Sequence, residues 1–290
     1  MTRSLFIHAH SPLHPGTGQS VGAIDLAIAR EQATGIPYLP GSSIKGVLRD
    51  RLGRASELSV RGVERLFGPP TERASDHAGS LHFGDGHLVF MPIRSLAGTF
   101  AMVTSPYLLD RLAVDLKESG LGLDPPALHP GAVDQALVSD GSALLLDGQA
   151  ILEDLDLNAE VAAGLGDWAA QLGARIGGER FERSLNRRVC VVHDDVMSFL
   201  LEHATEVTAR IRIDDETKTA ADGALWYEES LPAETLLCGL VVGAPPKRTG
   251  LEGEEALDQL ASGLDGLVQF GGNATVGRGM CRVRLLGGES

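Results

Sequence analysis

A single carboxylate and the start of a cationic helix lie close together near the amino terminus of the sequence. Asp25 stands in a glycine-rich stretch that begins at Gly16, and a turn at Gly41 leads into a helix that carries Lys45 and Arg49 one turn apart. Exposed N–H groups at a helix start bind anions, and a carboxylate acts as a general base or as a metal ligand. This combination predicts a ligand with a phosphate backbone and chemistry at one of its phosphates.

A second candidate binding segment, residues 271–279, lies near the carboxyl terminus. It holds four glycines in nine residues, together with Arg278. Glycines let backbone N–H groups approach an anion closely. The spacing fits neither a Rossmann fingerprint, which a helix should follow, nor a Walker A loop. The segment predicts either an anion site or a tight connection between a helix and a strand.

Each of these features also has a purely structural interpretation. Lys45 and Arg49 fit the solvated face of a helix, and Asp25 alone fits a turn or a helix cap. Trp226 and Tyr227, on a projecting strand, either anchor the core or contact a ligand or a neighbouring subunit. Only the combination of features separates these interpretations.

The first elements of the chain follow the order β, α, β, β, α. Residues 5–10 alternate as a strand, and Ser42 or Ser43 is predicted to cap a helix that runs to about Arg54. Strands are predicted over 79–90 and 100–103, and a helix with Pro106 in its first turn over 106–118. This order gives most of a ferredoxin-like or RRM-like unit. The sequence therefore predicts an α+β fold in one domain over residues 1–290.

The second half of the chain is dominated by a predicted hairpin at about 207–232. Residues 207–213 alternate cleanly, and the strand returns through 224–229 after a polar tip. The segment 120–165 shows no readable pattern. The remaining predicted elements are short helices at 167–176 and 194–203, a strand at 236–242, a helix at 252–267 and a strand at 281–286.

Composition restricts the class of protein. The formal net charge of −14 argues against nonspecific nucleic-acid binding unless the basic residues cluster, as they do at 175–188. The three cysteines are far apart, which suits reduced, buried thiols in the cytoplasm. No window reaches the roughly 18 apolar residues of a membrane span. We expect a soluble, cytoplasmic protein that does not contact a membrane.

Taken together, these segments resemble the RAMP superfamily of type III CRISPR–Cas effectors, and specifically the backbone subunit of the type III-B (Cmr) complex. The glycine-rich segment alone resembles only the superfamily, whereas the full set is specific and spans essentially the whole chain. The segments that carry the resemblance are 25–31, 34–37, 40–49, 94–106, 214–219, 225–232 and 271–279.

The resemblance implies a modified ferredoxin-like or RRM-like palm with an inserted β-hairpin thumb. Several copies would polymerise on one crRNA in a helical filament, with other Cmr-complex subunits, and the thumb, with Trp226 and Tyr227, would push between bases. Backbone recognition leaves sequence reading to base pairing. The implied RNA-binding residues are Ser42, Ser43, Lys45, Arg49, Gly271, Gly272, Asn273, Thr275, Gly277 and Arg278.

The resemblance also implies cleavage of the complementary target RNA at regular intervals, with Asp25 as the catalytic residue. RNA supplies its own 2′-OH nucleophile, so the protein has only to align it with the phosphate. Asp25 would act as a general base or as the ligand of a divalent ion, Mg²⁺ or Mn²⁺. His14 and Glu228 are further catalytic candidates. Two alternatives stay open: a type III-A (Csm-type) backbone subunit, and a crRNA-scaffold protein without catalytic activity.

Overall fold

The computed structural model describes residues 1–18, 24–55, 58–73, 75–213, 216, 220–244 and 251–288. Its strands are β1 (Thr2–Ala9), β2 (Tyr38–Leu39), β3 (Leu81–Phe83), β4 (Gly86–Arg94), β5 (Phe100–Thr104), β6 (Gln135–Val138), β7 (Leu145–Leu146), β8 (Gln149–Leu152), β9 (Leu155–Val161), β10 (Val189–Val192), β11 (Glu206–Ile213), β12 (Ala220–Ser230), β13 (Leu236–Gly243), β14 (Leu267–Gln269) and β15 (Met280–Leu286). Its helices are α1 (Gly41–Ala55), α2 (Val60–Phe67), α3 (Pro106–Glu118), α4 (Leu165–Gly177), α5 (Glu179–Arg188), α6 (Asp194–His203) and α7 (Gly253–Ser262).

Thirteen of the strands in the described ranges join one mixed sheet, and β11 and β12 form a separate two-stranded hairpin. The α+β class and the separate hairpin predicted from the sequence are confirmed. The main sheet runs in the order β14-β15-β1-β13-β4-β5-β10-β6-β9-β8-β7, with β2 beside β4 and β3 beside β13. The tip of the hairpin, at 214–215 and 217–219, lies outside the described residues.

The first strand occupies the middle of one half of the main sheet. β1 pairs antiparallel with β13 on one side and with β15 on the other. The sequence predicts the order β1, α1, β4, β5, α3, which the structure has. The strand pairing differs from a simple ferredoxin-like sheet because β13, from late in the chain, lies between β1 and β4.

Two hydrophobic cores cover the opposite faces of the sheet. In β1, Leu5 and Ile7 belong to the first core and Phe6 to the second, because alternate side chains of a strand point to opposite faces. Side chains from α1, α2, α6 and α7 fill the first core, and side chains from α4 and α5 fill the second. α3 contributes to both.

Some predicted boundaries were wrong. The last helix ends at Ser262 and is followed by β14, so the prediction of a helix over 252–267 was five residues too long. The unreadable segment 120–165 forms the four strands β6 to β9, two of them at the far edge of the sheet. No helix within the described ranges has both the length and the apolar character needed to cross a membrane.

Candidate nucleic-acid interface and active site

Asp25 lies at the base of the hairpin. Leu26 forms a parallel bridge with Glu228, and its N–H donates to the carbonyl oxygen of Tyr227 at 3.0 Å. Residues 19–23 of the glycine-rich stretch lie outside the described residues, but its neck is closed by an antiparallel bridge between Gly16 and Ile28. Asp25 therefore occupies a defined position next to β12.

The carboxylate of Asp25 is exposed and, from the described residues, accepts one hydrogen bond. Its Oδ2 atom lies 2.8 Å from the backbone N of Tyr227, which donates to it. A carboxylate has about four acceptor positions, so one bond leaves capacity for a proton, a cation or a hydroxyl group. This geometry suits a general base or a metal ligand.

Glu228 is a buried carboxylate that joins the hairpin to the glycine-rich segment. Its Oε2 atom accepts from Nε of Arg210 at 3.2 Å and from Nδ2 of Asn273 at 3.0 Å. Its Oε1 atom accepts from the indole N–H of Trp226 at 2.9 Å. Since both oxygens already bind protein donors, this geometry favours a positioning role for Glu228, and its catalytic role stays a prediction.

The two aromatic residues of the hairpin point to opposite sides. Trp226 is half-buried on the side of Glu228, whereas Tyr227 is 41% exposed. Of the two interpretations left open above, the structural one fits Trp226. The contact interpretation fits Tyr227, next to Asp25.

His14 is buried under the same segment of β12. Its Nδ1 atom lies 2.6 Å from the carbonyl oxygen of Glu229. A carbonyl can only accept, so Nδ1 carries the hydrogen and a neutral ring keeps an acceptor at Nε2. A Cβ atom at Gly16 would lie 2.6 Å from that Nε2 atom, so the ring packs directly on the loop backbone. This packing favours a role for His14 in positioning the loop, and its catalytic role stays a prediction.

Sequence reasoning missed the role of Glu229. Glu229 is 3% exposed, and its carboxylate accepts from Arg30 at 2.6 Å and from the N–H of Ile28 at 3.1 Å. It therefore fixes the segment that follows Asp25. The alternation of β12 was a usable signal, because a charged residue one position after Glu228 must face the opposite side, where Ile28 lies.

The glycine-rich segment packs against the His14 strand instead of forming an open anion cradle. The N–H of Gly272 donates to the carbonyl of His14 at 2.9 Å, and the N–H of Gly279 donates to that of Pro12 at 2.8 Å. The N–H of Gly277 donates to the carbonyl of Ala274 at 3.1 Å. These internal hydrogen bonds favour the tight connection, of the two interpretations given above, and contact of the segment with RNA stays a prediction. The backbone oxygens of neighbouring residues leave no room for a Cβ atom at Gly271 or Gly279, so glycine is required there.

The side chains of this segment are divided between internal contacts and solvent. Asn273 binds Glu228, as described, and a guanidinium nitrogen of Arg278 lies 3.1 Å from Glu206 in an ion pair. Thr275 is exposed on a short 3₁₀ turn. Of the predicted RNA contacts here, Thr275 is the one most available to a ligand.

The start of α1 also differs from the prediction. The N–H of Gly41 donates to Oδ1 of Asp85 at 2.7 Å, and Ser42 and Ser43 lie within the first turn. The predicted serine cap was wrong, because a carboxylate from the loop before β4 takes that position. A Cβ atom at position 41 would lie 2.7 Å from two backbone oxygens, so it is the absence of a Cβ in Gly41 that lets the helix start come so close to the loop before β4. The helix start is thus already paired with an anion.

The predicted cations of α1 remain available. Ser42 and Ser43 are exposed, Lys45 is half-buried, and Arg49 donates to the carbonyl of Pro69 at 3.3 Å. Within the described ranges neither Lys45 nor Arg49 pairs with a carboxylate. Their side chains, more than the helix start itself, can bind phosphate.

A metal site made of protein groups alone is not found in the described part of the chain, where no three His, Cys, Asp or Glu side chains stand together. Asp25 offers one carboxylate, and the oxygens of Glu228 are occupied. Mg²⁺ is commonly bound by one or two carboxylates, with phosphate oxygens and water as the other ligands. A divalent ion fits here only if it shares Asp25 with an RNA phosphate.

Comparisons with known proteins identify the family of the chain. The family model of the RAMP superfamily matches residues 6–282. The chain is 35% identical to the CRISPR system Cmr endoribonuclease Cmr4 of Pyrococcus furiosus, over 96% of this chain and 94% of that protein. It is 23% identical to the CRISPR system CMR subunit Cmr4 of Saccharolobus solfataricus, over 98% of this chain and 96% of that protein.

Solved structures give the same result for the fold. The crystal structure of oligomeric Cmr4 from Pyrococcus furiosus superposes with a TM-score of 0.78 at 27% identity, covering 100% of this chain and 99% of that one. A chain of the type III-B Cmr-beta complex bound to cognate target RNA superposes with a TM-score of 0.74 at 21% identity, covering 98% and 97%. The second likeness is evidence for the fold alone.

Proposed function

This chain belongs to the RAMP superfamily and, within it, to the Cmr4 family, and from that premise we propose that it is a backbone subunit of a type III-B CRISPR ribonucleoprotein that cleaves target RNA. The resemblance carried by the sequence segments is thereby confirmed. The relatives reported above are Cmr proteins, so no observation favours the type III-A alternative. In the proposed complex the partners are crRNA, target RNA, further copies of this chain and other Cmr subunits, all in the cytoplasm.

The exposed carboxylate of Asp25 is the observation that carries the catalytic part of the proposal. The 2′-OH of the target RNA attacks the adjacent phosphorus as Asp25 accepts its proton. The bond from phosphorus to the 5′-oxygen breaks, and that oxygen takes a proton from water. The products are a 2′,3′-cyclic phosphate and a 5′-hydroxyl end. A divalent ion held by Asp25 and the RNA would supply charge stabilisation at the phosphate. His14 and Glu228 act indirectly, by holding the loop and the hairpin against which Asp25 rests.

The hairpin supports the proposed thumb role. Directly opposed residues of an antiparallel pair share a face, and the pairs Ala209–Tyr227 and Ile211–Leu225 place apolar side chains together. Ile211 is 54% exposed and Leu225 is 56% exposed. An exposed apolar face on a projecting hairpin suits insertion between the bases of an RNA duplex. The main sheet with α1 and α3 is then the modified RRM-like palm, and copies repeat along the guide.

The test compares Asp25→Ala with Asp140→Ala, which removes an exposed aspartate from the turn after β6. In an assembled complex on complementary RNA, Asp25→Ala should reduce the cleavage rate by about 10²- to 10⁴-fold, the usual contribution of a general base. Guide binding and assembly should be unchanged, and Asp140→Ala should cleave normally. A target with a 2′-deoxy residue at the cleavage position should resist cleavage.

Full cleavage by the Asp25→Ala complex would sink the catalytic assignment and favour the scaffold alternative. Cleavage of the 2′-deoxy target would refute the 2′-OH nucleophile. Dependence on the metal is tested separately, by chelation and re-addition of Mg²⁺ or Mn²⁺. Cleavage that persists after chelation would leave Asp25 as a base alone.

A further inference from the structure

A cavity of about 580 Å³ lies on the face of the sheet away from the first core, and five arginines line it. We name it the arginine groove. The arginines are Arg180, Arg183, Arg187 and Arg188 of α5 and Arg282 of β15. In a chain with a net charge of −14, this is a marked local excess of positive charge.

The sequence of α5 explains how the groove forms. Phe181 and Leu185 are buried in the second core, one turn apart. Arg180 and Arg187 lie seven residues apart, or about 10 Å along the helix, and both are exposed. Helical spacing thus places an apolar stripe on the core and a cationic stripe over the sheet.

Two strands from opposite ends of the chain, β1 and β15, form the floor of the groove. His8 of β1 and Arg282 of β15 are paired in register, so their side chains project from the same face of the sheet. This is the face of Phe6 and of the second core. Leu13 and Ile28, which flank the Asp25 site, belong to the first core. The groove is therefore separate from the candidate active site.

Most of the guanidinium charge in the groove has no internal partner. Arg188 donates to the carbonyl of Gly98 and stacks over Phe100, and Arg183 forms an exposed ion pair with Glu179 at 3.6 Å. In the described part of the chain, Arg180, Arg187 and Arg282 form no ion pair. These three side chains are free to bind an anion from outside.

The remaining titratable groups do not cancel this charge. Among the described residues Glu234 is the one carboxylate that lines the cavity, and its Oε2 atom accepts from Nε2 of His8 at 3.0 Å. Burial, the neighbouring His8 and the guanidiniums of Arg282 and Arg180 lower the pKa of His10, against the opposing effect of Glu234. The ring of His10 is thus neutral at pH 7 and offers an exposed flat surface beside the arginines.

We propose that the arginine groove is a phosphate-binding site that takes successive phosphodiester groups of single-stranded RNA. Guanidinium groups bind phosphate oxygens in pairs, and single-strand sites combine a basic groove with ring surfaces on which bases stack. The exposed ring of His10 supplies such a surface, for which the carboxylates of an acidic peptide have no use. The site does not require the chemistry at Asp25.

The test measures binding of a labelled, unstructured 24-nucleotide RNA to the RNA-stripped full chain by fluorescence anisotropy, from 50 to 300 mM NaCl. The variant combines Arg180→Ala, Arg187→Ala and Arg282→Ala. It should weaken binding at least tenfold at 100 mM NaCl. It should also reduce the slope of log K against log[salt] by about 2, since each single-strand phosphate contact contributes about 0.7. Circular dichroism should show an unchanged fold.

Arg175→Ala serves as the matched control, because Arg175 is an exposed arginine of the neighbouring α4 and does not line the groove. It should bind RNA within twofold of the wild type. A triple lysine variant should keep the salt slope but lose part of the affinity, because lysine cannot bind phosphate with a planar fork.

Wild-type affinity and salt slope in the triple alanine variant would overturn the proposal. Equal competition by AMP or inorganic phosphate would instead identify a small-phosphate site and refute the RNA assignment. Displacement of the RNA by poly-glutamate at equal charge would favour an acidic protein partner and refute it too. The readout here is RNA binding by the chain alone and not cleavage by the assembled complex, so failure of the cleavage proposal and failure of this one are distinguishable.

Discussion

Removal of the Glu228 carboxylate tests the conclusion that this residue is a structural connection and not a reacting group. Glu228→Ala deprives three donors of their acceptor: Arg210, Trp226 and Asn273. A hydrogen bond to a charged group contributes about 1.5–3 kcal/mol and a neutral one about 1 kcal/mol. The Arg210 side chain is 32% exposed and can be resolvated. We therefore expect a loss of about 3 kcal/mol in the free energy of unfolding.

The assay is urea unfolding, followed by tryptophan fluorescence. Hydrogen exchange over 271–279 should rise in the same variant, because Asn273 loses its contact with the hairpin. Glu228→Gln keeps one acceptor oxygen and should cost about half as much. Glu206→Ala is the control: its ion pair with Arg278 is 41% exposed on the glutamate side and should contribute less than about 1 kcal/mol.

A different outcome would refute this reasoning. If Glu228→Ala unfolds at the wild-type urea concentration, with unchanged exchange over 271–279, the three hydrogen bonds do not hold the hairpin to the loop. If that variant also loses cleavage more than 100-fold, Glu228 acts directly on the RNA, as the sequence first suggested. Asp25→Ala, by contrast, should reduce cleavage with no loss of stability.

Two further predictions concern stability. Gly279→Ala should cost more than about 3 kcal/mol in thermal unfolding, because Gly279 has φ +71° and a Cβ atom there would collide with the carbonyl of Phe270. Gly277 has a similar φ of +79° but lies in open space, so Gly277→Ala should cost about 1 kcal/mol. Equal losses in the two variants would contradict the packing argument. Burial raises the pKa of Asp115 to about 6, so its ionised form disfavours the folded state, with no effect well below pH 4 and a cost that grows as the pH rises towards 6. Asp115→Asn should thus add about 1 kcal/mol at pH 7.5, after allowance for partial exposure, and nothing at pH 3.5 in urea unfolding; the same gain at both pH values would refute the assignment.

Local patterns were sufficient for much of the fold. The alternation of β1, the start of α3 at Pro106 and the whole of α6 follow from spacing within a few residues, and the structure has them. Ser105 stands at the cap position of α3 without a side-chain capping bond, so the position was predictable but the hydrogen bond was not. The strands β6 to β9 are short and partly exposed, so their periodicity was too weak to read.

The errors at the candidate site share one cause, which is that the deciding partner lies far away in sequence. The cap of α1 comes from Asp85, 44 residues beyond Gly41, and no local rule indicates it. The amides of the glycine-rich segment bind carbonyls at Pro12 and His14, near the other end of the chain. Local composition correctly marked both segments as places of close backbone approach. It could not tell whether the approaching group was a ligand or the protein itself.

In this acidic chain, side-chain cations have to bind a polyanion. The backbone N–H groups predicted to bind phosphate are largely hydrogen-bonded within the protein. At physiological ionic strength charges act over about 8 Å, so the net charge of −14 matters less to a nearby phosphate than the local sign. In the arginine groove that sign is set by five arginines against one glutamate that is already hydrogen-bonded to His8. At low salt the remote acids act over longer distances and oppose binding, so the measured salt slope of the wild type should be shallower than its number of phosphate contacts implies.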